Sequence, residues 1–165
     1  ASPATTRASP MTMSVFCMVQ SSPQTGTPRK PDLDSGERID TFVRRFYEQL
    51  LEDDWLAPVF LDVAEIDLDE HLPRIAAYWQ KMLLGEPGYD RHMMVHHRNI
   101  HQQRALTPEH GRRWLAYFEA TLDAHYAGPM TEKARNLANT VMQNMMVQFN
   151  GLPGGSSSGK KKGES

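Results

Sequence analysis

The stretch Tyr89–His101, YDRHMMVHHRNIH, packs four of the chain's seven histidines into thirteen positions. His92 and His96 are four apart, as are His97 and His101. On a helix each pair shares one face, and two neutral imidazoles one turn apart can reach the same iron or zinc ion. The pattern equally suits the solvated, weakly basic end of a helix, where cations face the negative pole of the dipole. The stretch leaves both readings open, and its flanks have to decide between them.

Upstream, the pattern changes abruptly at Asp34. Asp34-Ser35-Gly36-Glu37 supplies a capping side chain with a glutamate three residues on. Ile39, Phe42, Val43, Phe46, Tyr47, Leu50 and Leu51 then recur at helical spacing. Trp55 to Phe60 reads as a short turn with an apolar underside, which Pro58 keeps from becoming a long helix. Asp69 is the expected cap of the next helix, with Pro73 required in its first turn and Gly85 as its stop. His71, Leu72, Ile75, Tyr78, Trp79, Met82 and Leu83 share one broad face of that helix.

Downstream of the histidines, Thr107 as N-cap and Pro108 at the first helical position mark a helix start. Trp114, Leu115, Phe118, Leu122 and His125 carry its inner stripe, and Gly128-Pro129 stops it. A last helix is expected from about Thr131 to Asn150, with Ala134, Leu137, Ala138, Val141, Met142, Met145, Met146 and Phe149 inside. No period-2 run bounded by turn signals occurs between residues 37 and 150, so the fold class is all-α.

Composition sets the outer limits. Residues 1–36 are crowded with Ser, Thr and Pro, and residues 151–165 are Gly/Ser-rich with a three-lysine run. Both are expected to be disordered tails around one domain of residues 37–150. A formal charge of −2 offers no basic stripe for nucleic acid. The single cysteine, Cys17, fits a reducing compartment and a cytoplasmic location. No apolar run is long enough to span a bilayer, and the Met13–Val19 patch is too short and broken for a convincing signal-peptide core.

The order of these pieces resembles the truncated haemoglobins, and most closely their group III branch. The motifs that carry the resemblance are Phe46-Tyr47, Pro58-Val59-Phe60, Glu70-His71 with Ile75, Tyr78-Trp79, and Met82-Leu83-Leu84-Gly85-Glu86 followed by a tyrosine. Met94 with a histidine three residues later and Trp114-Leu115 complete the set. Each is only two to five residues, but together they run in order across essentially all of residues 37–150. The resemblance implies a 2-on-2 helical sandwich that binds haem b.

By the same resemblance, His97 is the proximal ligand of the haem iron, with His101 as the fallback when one counts back from the Thr107-Pro108 helix start. Phe60, Ile75, Tyr78, Trp79 and Trp114 wall the cofactor. Tyr47, His71 and Trp114 take the distal, ligand-facing positions. The chain departs from the family pattern at Asp90-Arg91-His92-Met93, where a Gly and a Pro are frequent. It also departs at Gly111, where an aromatic is usual, and at Leu68, where a tryptophan often stands.

The implied function is reversible binding of dioxygen, NO or CO at a five-coordinate iron, served by a reductase partner. Redox detoxification of NO or peroxide fits better than bulk oxygen transport, because two distal donors hold a ligand too long for delivery. A zinc or nickel module built on the His92/His96 or His97/His101 pair is the alternative. A helical interaction module presenting Met142, Met145 and Met146 is a third.

Overall fold

In α1 (Gly36–Leu50), Ile39, Phe42, Val43, Phe46, Tyr47 and Leu50 return every three or four residues, and all six are buried. The side chain that caps this helix is Ser35, which accepts from the Arg38 N–H at 3.4 Å. The structure, a computed structural model, describes residues 26–63 and 67–151. Pro58 leads into a five-residue π-helical turn, Val59–Val63, a geometry that clusters at functional sites.

Helix α2 (Leu68–Leu84) starts earlier than its sequence signal suggested. Asp67, not Asp69, is the cap and accepts from the Asp69 N–H at 3.0 Å. Pro73 consequently lies beyond the first turn, where it leaves the carbonyl four residues back without its helical donor. Gly85 ends the helix in the left-handed region at φ 74°, as its position predicted. Helix α3 (Met93–Gln103) carries the histidine cluster, and none of its residues is fully buried.

Thr107 and Pro108 open α4 (Pro108–His125) as expected. Helix α5 (Pro129–Asn150) begins two residues before the anticipated Thr131, because Pro129 takes the first helical position, where its missing N–H costs nothing.

Every helix and turn among the described residues is helical in kind, with no strand. Helix α1 packs on α2 and α4 packs on α5; α1 also meets α4, and α2 meets α5. Two helix pairs thus face each other, two on two. Their shared core is aromatic. Phe42 and Phe46 meet Phe118 edge-on at 4.9 and 5.4 Å between ring centres, and Trp79 lies 5.0 Å from the same ring.

The boundary expected at residue 37 moves toward the N-terminus. Leu33 is fully buried in the core, and the Ala127 N–H donates to the Pro31 carbonyl at 2.9 Å. The Asp32 carboxylate accepts from the Met130 N–H at 3.0 Å, the Thr131 N–H at 2.7 Å and the Thr131 hydroxyl at 2.8 Å. These amides belong to the first turn of α5, which has no intrahelical acceptors for them. Asp32 therefore caps a helix almost a hundred residues away. The approach is close enough that a Cβ on Gly128 would fall 2.5 Å from Asp32 Cγ, so only glycine fits there. Expectations for residues 1–25 and 152–165 lie outside the described residues.

Burial raises the Asp32 carboxyl's pKa, but the bonds from Met130, Thr131 and Leu33 outweigh it and hold the group below the usual carboxylate value. A depressed folded value makes this contribution complete above the unfolded pKa, and it is lost as pH falls through the folded one. Asp32→Ala is expected to cost about 1 kcal/mol, as loss of a helix cap does. The Tm difference from wild type should be full near neutral pH and shrink below about pH 4, which thermal melts across that range will check.

Candidate functional site

A cavity of about 500 Å³ opens between α2, α3, the π-helical turn and the inner faces of α4 and α5. Cofactor and ligand pockets typically span roughly 300–1,000 Å³. Tyr47, Phe60, His71, Ile75, Tyr78, Trp79, His97 and Trp114 all line it, whereas His101 does not.

The α1 and α4 side of the cavity is set by ring packing. Tyr47 is buried at 5 % exposure. Its ring lies 5.2 Å from Phe46, 5.7 Å from Phe60 and 6.0 Å from His71, each nearly edge-on. Trp114 meets Phe46 at 5.1 Å and stacks on Phe118 at 5.1 Å. Burial alone pushes the Tyr47 hydroxyl well above its ordinary pKa, so it keeps its proton and can donate. Burial, then Arg74, His97 and His96, bring His71 down to about 4, so its imidazole is neutral at physiological pH.

On α3, His97 Nδ1 lies 2.9 Å from the Met93 carbonyl oxygen. A carbonyl only accepts, so Nδ1 carries the proton and Nε2 is left with its lone pair. Burial lowers the pKa of this imidazole, and the bond to Met93 only partly offsets that. The result is a neutral, oriented imidazole at the cavity wall. His101 has the opposite arrangement. Its Nδ1 accepts from the Leu106 N–H at 2.9 Å, and its ring stacks on Phe149 at 4.6 Å, away from the cavity.

His92 occupies the N-cap position of α3 with no side-chain capping bond; it and His96 are both exposed, and only His96 lines the cavity. Among the described residues no three His, Cys, Asp or Glu side chains gather to hold an ion, which leaves the zinc or nickel reading without a third ligand. Met142 and Met145 are buried against the cavity rather than offered to solvent, which counts against an interaction surface made of them.

The family model for bacterial-like globins matches residues 33–149. The chain is 28 % identical over 122 residues to the group 3 truncated haemoglobin of Campylobacter jejuni, covering 70 % of this chain and 93 % of that protein. The crystal structure of the group III truncated haemoglobin from Campylobacter jejuni superposes with a TM-score of 0.66 at 25 % identity, covering 73 % of this chain and 94 % of that one.

The chain belongs to the bacterial-like globins, as a truncated globin similar to the group III branch.

Membership makes it a haem-binding globin, and the residues present fit that group. A truncated globin's iron needs one neutral imidazole nitrogen with its lone pair free, and His97 Nε2 meets that chemical requirement. Aromatic and aliphatic side chains make up much of the wall, Tyr47 and Trp114 among them bring hydrogen-bond donors, and charged and polar groups such as Glu70, Arg74 and Arg91 also line the cavity. No helix of this globin, among the described residues, is long and apolar enough to cross a membrane.

Two features of the site were not singled out from the sequence. His110 lines the cavity, and Asp53 anchors the chain leading to the π-helical turn. Asp53 is 8 % exposed. It accepts from the Trp55 and Leu56 N–H groups at 2.8 and 3.0 Å, from the Arg113 guanidinium at 3.0 Å and from the Tyr117 hydroxyl at 2.9 Å. The pattern Asp53-Asp54-Trp55 is an Asx-type turn signal that could have been read locally, but Arg113 and Tyr117 are sixty residues away.

Asp53 thereby ties the start of the cavity wall to α4. Asp53→Ala is expected to destabilise the fold by roughly 3 kcal/mol, since several donors lose a buried charged acceptor together. Urea unfolding will measure this, and Glu52→Ala, an exposed neighbour, should stay within about 0.5 kcal/mol of wild type.

Proposed function

We propose that this globin holds haem b through His97 and binds dioxygen, NO or CO under Tyr47, His71 and Trp114. The observation that carries the reading is the His97 Nδ1 bond to the Met93 carbonyl, which leaves Nε2 as the free ligand atom. His101, whose Nδ1 is taken by the Leu106 amide, is a structural residue in this reading. Haem iron supplies the open coordination position at which a diatomic ligand binds.

The protein's own groups then determine how long a ligand stays. Tyr47 keeps its proton at all physiological pH values and can donate to a ligand oxygen that carries partial negative charge. Trp114 brings an indole N–H to the same cavity. His71, neutral at physiological pH, can donate from one ring nitrogen without adding a full charge. Phe60, Ile75, Tyr78 and Trp79 supply apolar wall beside these donors, and a lower local dielectric strengthens such bonds. Two or three donors around one ligand favour retention, and hence chemistry on NO or peroxide with electrons from a reductase, over bulk oxygen delivery.

Purified protein supplied with haem is expected to give a Soret band that His97→Ala abolishes and His101→Ala leaves in place. Loss of the band in His101→Ala alone would contradict the assignment. Tyr47→Phe should raise the oxygen dissociation rate on the order of tenfold, as loss of a hydrogen bond of about 1.4 kcal/mol implies. Stopped-flow displacement by CO reads that rate directly.

A further inference from the structure

We propose, on the haem reading above, that Trp79, Tyr78 and Tyr89 form a relay for single electrons between the cavity and the surface, and that Tyr89 is the residue left oxidised when hydrogen peroxide is reduced in the cavity.

The ring contacts around the cavity run in two directions. Tyr47 meets Phe46, Phe60 and His71, and Trp114 meets Phe46 and Phe118. Phenylalanine does not give up an electron under these conditions, so for electron transfer between side chains those contacts end in the core. The other set leads outward. Trp79 lies 5.5 Å from Tyr78, and Tyr78 lies 5.3 Å from Tyr89, each pair nearly edge-on. All three rings are oxidisable and all three line the cavity. Trp79 is buried, whereas Tyr78 and Tyr89 are half-buried, and Tyr89 belongs to the exposed loop between α2 and α3. The Lys81 ammonium donates to the Tyr89 carbonyl at 2.6 Å, which ties that loop to α2 and keeps the two phenol rings together.

Proton release selects the end of the relay. A phenol that loses an electron must lose its proton as well, because a buried radical cation pays the full cost of an unpaired charge. Burial raises the pKa of Tyr78 and Tyr89, so each phenol carries its proton at neutral pH. Tyr89, flanked by exposed Gly88 and Asp90, can pass that proton to water. Tyr47 is buried at 5 % exposure and has no such outlet. Hydrogen peroxide needs two electrons and two protons to become two waters as its O–O bond breaks. Tyr89 supplies one electron and one proton and is left as a neutral phenoxyl radical. The second electron comes from the iron, which the reductase refills, and the second proton from solvent.

The test adds hydrogen peroxide to the ferric holoprotein with a nitroso spin trap, follows the radical by electron paramagnetic resonance, and locates the trapped adduct by mass spectrometry. Wild type should give a tyrosyl signal with the adduct on Tyr89. Tyr89→Phe should lose that adduct with its Soret band unchanged. Tyr78→Phe keeps the ring and removes the phenol, and should lose most of the Tyr89 adduct per haem bound. Tyr117 is the competing site: its phenol donates to the Asp53 carboxylate at 2.9 Å and so has a proton acceptor at hand, but it stands outside the ring contacts of the relay. A wild-type adduct on Tyr117, Tyr126 or Trp55 in place of Tyr89 overturns the proposal. So does a Tyr89 adduct that Tyr78→Phe leaves undiminished, or the absence of any protein radical. A protein that forms no Soret band with haem overturns the haem reading and the relay with it, an outcome seen before peroxide is added.

Discussion

The packing of Phe46 between two helices is the contact on which the rest of this molecule depends. Its ring is 1 % exposed and meets Tyr47 on α1 and both Trp114 and Phe118 on α4 within 5.4 Å. Edge-on aromatic pairs of this kind contribute about 0.5–1.5 kcal/mol each beyond their buried area. They also fix direction: with Phe46 locked between α1 and α4, Tyr47 and Trp114 are turned toward one cavity. The donors of the site are thus placed by the core itself.

The opposite wall is built differently. Among the described residues, helix α3 has no fully buried residue and of the helices and turns meets only α5 and the π-helical turn. Its cavity-lining residues, Met93, His96, His97, Asn99, Ile100 and Gln103, have open space where a packed helix would have a neighbour. Under the proposed reading a flat aromatic cofactor would supply the apolar contact such a helix lacks, so that ligation and packing of α3 would go together. The α1 and α4 side of the cavity rests on packed rings, whereas α3 brings few buried contacts of its own. Helices with few buried contacts are the first to open.

Much of this was legible from the residues in order. Gly85 and Thr107-Pro108 punctuate helices because left-handed backbone and a missing N–H are local requirements, and the structure has both where the sequence puts them. Tyr47, His71, Ile75, Trp79 and Trp114 sit on the apolar stripes of their helices, a pattern that by itself reads as core, and it was the family resemblance that marked them as lining a cavity. Asp32 and Leu33 were hidden, since their partners lie in α5 and no periodicity marks residues 26–33. Helix beginnings misjudged by two residues, the cap at Asp67 rather than Asp69 and the first helical residue at Pro129 rather than Thr131, show how acidic runs and Gly-Pro pairs offer several starts of similar quality. His110 escaped notice because a histidine in a first turn looks solvated until its Nδ1 is seen to be taken by Thr107. The choice between His97 and His101 likewise turns on which ring nitrogen meets a carbonyl and which meets an amide, a distinction that spacing along a helix cannot carry.

The central claim is that one nitrogen, His97 Nε2, ties α3 to the haem iron. Resonance Raman spectroscopy of the ferrous, ligand-free holoprotein tests it most directly through the iron–histidine stretch. The account predicts that the stretch is present in wild type, absent in His97→Gly, and restored when imidazole is added to that variant. A stretch that survives in His97→Gly without imidazole, or that disappears in His101→Gly, would contradict it.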